Sequence, residues 1–198
     1  MNAHGRGKWD RRTTDEERRG AARQRLLEAT AAVVADHGAA TTAAEIIGRA
    51  GVGRNTFYEH FESVRGAVEE VARGAAEQTL AALRLSSSTA RTPRERLRAL
   101  AFTWLEAASQ QPVVAGALGL GSPTDAVRDL VDGLEQELRA ALELARAAGA
   151  VGLPAEGMRI VCLVGAFVTA ASYVSQNPEV DVRASADALA DLTLRAFR

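Results

Sequence analysis

One stretch, residues 41–61 (TTAAEIIGRAGVGRNTFYEHF), limits the fold more than any other part of the chain. Thr42 followed three residues later by Glu45 has capping-box spacing: the hydroxyl accepts from the Glu45 amide while the carboxylate reaches back to the Thr42 amide. Ile46, Ile47 and Ala50 then supply an apolar face. Gly51-Val52-Gly53 ends this helix, because glycine tolerates the left-handed backbone that closes helices and Val52 can fill the angle. Arg54 starts a second helix of roughly two turns. Phe57 and Phe61 lie four apart and share its inner face. Arg54, Asn55, Thr56, Tyr58 and His60 remain outside, all of them hydrogen-bond donors. Two short helices across a tight turn, the second presenting donors, follow helix-turn-helix logic, in which that second helix meets a DNA major groove.

The rest of the chain reads as helix after helix. Alanine is abundant, proline is low at 5 residues and β-branched runs are few, so the expected class is all-α, with about nine helices. An apolar fraction of 47% is ample for a core, and 198 residues allow one domain or two small ones. The net charge of -1 hides only a small contrast: residues 1–62 hold ten Arg/Lys against nine Asp/Glu. One cysteine excludes an internal disulfide framework and a cysteine-rich metal site. No apolar run reaches the roughly 18 residues of a membrane span. The opening MNAHGRGKWDRR lacks the hydrophobic core of a signal peptide, so a cytoplasmic protein with no membrane partner is the expectation.

Residues 1–14 form a flexible basic tail in this reading, and a helix follows from near Asp15 to about Asp36, stopped at His37-Gly38. Ser63 caps a long helix over about 63–84, with Val64, Val68, Val71, Ala75, Thr79 and Leu83 as its inner stripe and SSST at 86–89 as a loop. Thr92 caps the next helix, with Pro93 in its first turn. Leu97, Leu100, Ala101, Trp104, Leu105 and Ala108 mark its buried face. A short helix is expected over 113–120, then a break at 121–123 and a helix of about six turns ending before Gly149. Residues 158–174 are apolar or small around most of the circumference, which requires cover on several sides. A last helix runs from about Arg183 to Phe197.

The spacing of Thr41-Thr42, Glu45-Ile46, Ala50-Gly51-Val52 and Thr56-Phe57-Tyr58-x-His60-Phe61 resembles that of TetR-family transcriptional regulators. The resemblance covers about 25 residues. It implies a three-helix DNA-binding head at 1–62 and a ligand-binding and dimerisation domain at 63–198. It further implies a homodimer on a palindromic operator in double-stranded DNA, repression by default, and a small-molecule effector that loosens DNA binding. By the same resemblance Thr42 is similar to a phosphate-contacting hydroxyl. Arg54, Asn55 and Thr56 resemble residues that approach base edges, and Tyr58 and His60 resemble phosphate contacts. Two positions depart from the family pattern: Gly53 replaces the usual Ser, and Val64 replaces a phosphate-pairing Lys, leaving Arg65 as the neighbouring cation.

Each assignment has a plainer alternative. Thr42 serves as a cap with or without a phosphate contact, Arg54 as a solvated charge, Tyr58 as a core aromatic, and the basic tail as a solvated segment or a minor-groove arm. Cys162 sits in a dense apolar helix and reads as core filler, since a reactive thiol needs exposure and nearby positive charge. The helices at 158–174 and 183–197 are the candidates for dimerisation, where Gly165, Ala166, Ala170 and Ala171 permit close approach. Phe102, Trp104, Met158, Phe167 and Tyr173 are large side chains that converge in an apolar ligand pocket on this reading, suited to a hydrophobic or aromatic effector. No cofactor or metal is implied. An enzyme is disfavoured because His4, His37 and His60 are the only histidines and none lies in the C-terminal part. The remaining alternative is a helical protein-interaction module that has lost DNA binding.

Overall fold

The computed structural model describes residues 11–110 and 125–198, with side chains except at 11–14 and 39. Among these residues the chain forms eight α-helices and one 3-10 turn. They are α1 (Arg11–His37), α2 (Ala43–Ala50), α3 (Arg54–His60), α4 (Val64–Thr89), α5 (Pro93–Gln110), α6 (Asp125–Ala147), α7 (Gly157–Gln176) and α8 (Val182–Ala196). The class is all-α, as expected. The basic tail up to residue 10, the short helix at 113–120 and the break at 121–123 lie outside the described residues.

Two boundaries differ from the sequence reading. α1 already includes residues 11–14, so it begins before Asp15. α4 runs through SSST to Thr89. The last turns explain it: Ser86, Ser87, Ser88 and Thr89 donate to the carbonyls of Leu83, Arg84, Leu85 and Ser86, three residues back, at 2.8–3.1 Å. Hydroxyls that normally compete with a helix here bond back onto its own carbonyls. The Ser87 hydroxyl also lies 3.1 Å from the Glu137 carboxylate of α6, so its one proton serves either acceptor.

A small head cluster joins Leu26, Ala29 and Val33 of α1 to Ile46 and Ala50 of α2, Phe57 of α3, Phe61 just beyond it, and Ala67 of α4. A larger cluster fills the body between α4, α5, α6, α7 and α8. α5 is its axis, and the predicted face from Leu97 to Ala108 is buried in full. Each such leucine removed from water stabilises the fold by about 1.5–3 kcal/mol. Trp104 has its indole N–H satisfied by the Phe167 carbonyl of α7 at 2.9 Å, which lets a polar group sit in that core.

α4 links head and body. Its buried positions are Ala67, Ala72, Ala76, Thr79, Leu83 and Ser87. Val64, Val68, Val71 and Ala75 of the predicted stripe lie half-buried beside them, because α4 is packed by α1 on one flank and by α5 and α6 on the other. Gly133 of α6 is the point of closest approach: a Cβ there would stand 2.3 Å from a Leu80 methyl. Among the described residues, head and body meet through Val34, Ala72 and Ala126 as well as through Ala67.

α7 departs most from expectation. Its inner side, including Ile160, Leu163, Phe167, Ala171 and Val174, is buried, while Met158, Val161, Cys162, Gly165 and Tyr173 face outward. Cys162 is therefore exposed and not core filler. The other described residues cover one flank of a helix that is apolar around most of its circumference. By length and composition the full 20-residue α7 is apolar enough to cross a membrane, which the shorter run read from the sequence did not indicate.

Candidate nucleic-acid interface

The head is built around its caps. Thr42 takes extended backbone, φ -118° and ψ 155°, and accepts from the Glu45 amide at 3.4 Å. The Glu45 carboxylate accepts from the Thr42 amide at 2.9 Å and from the Thr42 hydroxyl at 2.7 Å. The capping box is complete, and the single hydroxyl proton of Thr42 is already given to Glu45. These two Thr42 donors, with a smaller pull from His37 at 3.8 Å, hold the Glu45 carboxyl below its ordinary pKa. Arg49 ties the far end of α2 to Asp36 of α1. Gly51 closes the helix in the left-handed region at φ 63°, a conformation costly for any residue with a Cβ.

α3 starts at Gly53, which is extended at φ -76° and offers no side-chain cap. Phe57 is fully buried and anchors the helix. Arg54 and Asn55 are exposed, and Tyr58 keeps 47% of its surface in solvent. The Arg54 guanidinium lies 5.7 Å from the Tyr58 ring centre, and that ring meets Phe57 edge-on at 5.2 Å. One aromatic ladder therefore runs from the outer face into the core. It continues through Phe61 at 5.7 Å from Phe57, and Arg23 of α1 covers Phe61 at 5.7 Å. Arg23 is itself ion-paired to Glu70 of α4. Sequence reasoning missed Arg23 and Glu70, because two charges 47 positions apart carry no local signal of pairing.

The outer face is narrower than the helical spacing suggested. Thr56 and His60 are half-buried. The Nε2 atom of His60 is enclosed, with no hydrogen-bond partner among the described residues. His60 comes at the end of α3, where the chain turns inward to bury Phe61, so its ring is drawn against the head. Arg65 is exposed in the first turn of α4, and Val64 packs half-buried on the head core.

The five large side chains read as one pocket are not brought together. Trp104 and Phe167 share the body core; Phe102 is half-buried under Arg183, 4.9 Å from its ring. Met158 and Tyr173 point outward at opposite ends of α7, with 73% and 60% exposure. A 3.6-residue period places 158 and 173 on one side of α7, but not on the side that faces α5.

Residues 26–75 match the family model described as bacterial regulatory proteins, tetR family. No curated protein sequence matches. Among solved structures, the chain is similar to the fatty acid degradation regulator FadR from Bacillus halodurans, with a TM-score of 0.74, 17% identity, and coverage of 87% of this chain and 94% of that one. It is similar to FadR from Bacillus subtilis in complex with stearoyl-CoA, at 0.70 and 16%, covering 88% and 99%. It is also similar to the TetR-family regulator PfmR from Thermus thermophilus, at 0.70 and 20%, covering 87% and 98%. These likenesses extend the shared fold beyond the head. Residues 26–75 thus match the N-terminal model of the tetR family of bacterial regulatory proteins, and the described chain shares the fold of these solved regulators.

Proposed function

We propose that the chain is a homodimeric repressor that holds a palindromic operator and releases it when a small apolar effector binds the body. The reading divides the chain into a head at 1–62 and an effector and dimer domain at 63–198. It rests above all on the exposed start of α3, where Arg54 and Asn55 stand clear of the head and Tyr58 backs Arg54. Arg54 and Asn55 read base edges, with Thr56 at the margin; Thr42, Tyr58, His60 and Arg65 contact phosphates.

Two heads on one face of the duplex must stand about 34–36 Å apart to enter successive major grooves. The outward stripe of α7 supports pairing of two copies. Met158 and Cys162 flank an apolar groove of about 380 Å³ shared with Leu192 and Ala196 of α8. Two such faces placed together bury what one copy leaves open. The neighbour solved with stearoyl-CoA supports an effector with a long apolar part. Such a molecule acts by preferring a head spacing that fails to meet both half-sites.

The test is a titration of DNA from upstream of its own gene, with mass measured in parallel by light scattering. A dimer that binds such DNA, and a Leu192→Asp variant that is monomeric and binds far more weakly, are the expected results. A wild-type monomer that binds no such duplex refutes the proposal.

A further inference from the structure

A groove of about 800 Å³ lies between α1 of the head and α4, away from the α7–α8 face. Its floor is apolar, with Leu27 and Ala31 on one side and Val71 and Ala75 on the other. Its rim is acidic. Among the described residues, Glu28, Glu70 and Glu77 line it against a single cation, Arg73. Glu70 is neutralised by Arg23, and Arg73 stands 3.9 Å from Glu69. Glu28 accepts only from the Gln24 amide at 2.9 Å. Among the described residues, neither Glu28 nor Glu77 has a cation within ion-pair distance, Arg25 and Arg73 included. An apolar floor beneath two uncompensated carboxylates attracts a greasy cation and repels a greasy anion of the same shape.

We infer that this groove is a binding site for a lipophilic cation, distinct from any effector cavity in the body, and that its occupancy weakens operator binding. The floor takes the apolar groups, while Glu28 and Glu77 face the positive charge. The groove is walled by one helix of the head and by the helix that joins head to body. A molecule seated there favours those α1–α4 spacings that admit it, which is the differential affinity a switch requires. Binding itself needs no DNA and is measured without it.

The probe pair is tetraphenylphosphonium and tetraphenylborate, ions of matched shape and opposite charge, titrated calorimetrically into the full chain. The phosphonium is expected to bind at least about tenfold tighter than the borate, a difference of about 1.4 kcal/mol. Glu28→Gln and Glu77→Gln should each weaken it about two- to fivefold, the range for a partly solvated charge pair. Gly74→Leu should abolish most of the binding, because Gly74 lines the groove and a Cβ there meets nothing within 4 Å. Leucine also favours a helix interior over glycine, so this variant folds. Equal binding of the two ions, no binding of the phosphonium, or binding untouched by Gly74→Leu overturns the site. Operator affinity is then measured with and without the phosphonium. A fall in wild type that is absent in Gly74→Leu supports the control role, and an unchanged affinity with the ion bound overturns it. DNA binding without ligand tests the repressor reading separately.

Discussion

Replacing Thr42 separates two tasks that one side chain performs. In Thr42→Ala the α2 amide at Glu45 loses its acceptor at 3.4 Å. Loss of an N-cap hydroxyl costs about 0.5–2 kcal/mol, and about 1 kcal/mol lowers the melting temperature of a chain this size by about 2–4 °C. The effect on DNA is smaller than a phosphate contact alone implies. A hydrogen bond to a charged group is nominally worth about 1.5–3 kcal/mol. Here the hydroxyl proton first has to leave Glu45 Oε2, 2.7 Å away, a bond of the same charge-assisted kind. The net loss per head is then under about 1.5 kcal/mol, or roughly tenfold in affinity. Thr42→Asp keeps an N-cap acceptor but sets its carboxylate against that of Glu45, which took the hydroxyl proton at 2.7 Å, and it also places a negative charge where a phosphate approaches. Melting curves and fluorescence anisotropy on operator DNA measure the two quantities. The expected order is wild type above both variants in stability, and wild type above Ala above Asp in DNA affinity. If Thr42→Ala melts like wild type, the capping account fails; if Thr42→Asp binds DNA like wild type, Thr42 contacts no phosphate.

Further outcomes follow from the same head. Arg54→Ala should cost about 1–3 kcal/mol of operator binding and relax preference at one base pair; an equal loss on every sequence, read by competition binding, argues against base readout. Gly53→Ser meets only ordinary contact, because the added Cβ stands 3.8 Å from Thr56 Oγ1. It should raise stability by a few tenths of a kcal/mol and tighten DNA binding, and a lower melting temperature would show that the extended φ at 53 does not suit a serine cap. Val64→Lys should steepen the salt dependence of DNA affinity by roughly one phosphate, with its stem still lying on the head core; an unchanged slope removes position 64 from the interface. On acidification, Glu45 is held below its ordinary pKa by Thr42, and Asp191 is held down by its bond to Arg94. Folded values below unfolded ones mean that their contribution is complete above about pH 4 and is lost as pH falls through the lowered values. Melting temperature against pH should therefore drop less steeply in Glu45→Gln and Asp191→Asn.

Local chemistry was legible in the sequence, and pairing across distance was not. The Thr42–Glu45 box, the Gly51 stop, the Ser63 and Thr92 caps and the α5 stripe all depend on residues within four of each other. The end of α4 was misread because serine competes with a helix unless its hydroxyl turns back onto the preceding carbonyls, which no spacing rule reveals. The ladder from Tyr58 to Arg23, and the Arg94 and Arg98 pairs with α8, join residues far apart in the chain. α7 shows the same limit in its clearest form. Apolar residues all round a helix indicate that every flank needs cover, but not which flank the same chain supplies. Met158, Tyr173 and Cys162 were placed inside for that reason.

The meeting of α1, α4 and α6 through Val34, Ala72 and Ala126 has an engineering consequence. Among the described residues the head is held to the body by these three side chains, by Ala67 and by the Arg23–Glu70 pair, so either half tolerates exchange if those positions are kept. A head grafted onto a foreign body across this joint would carry its own DNA preference to a new chemical signal.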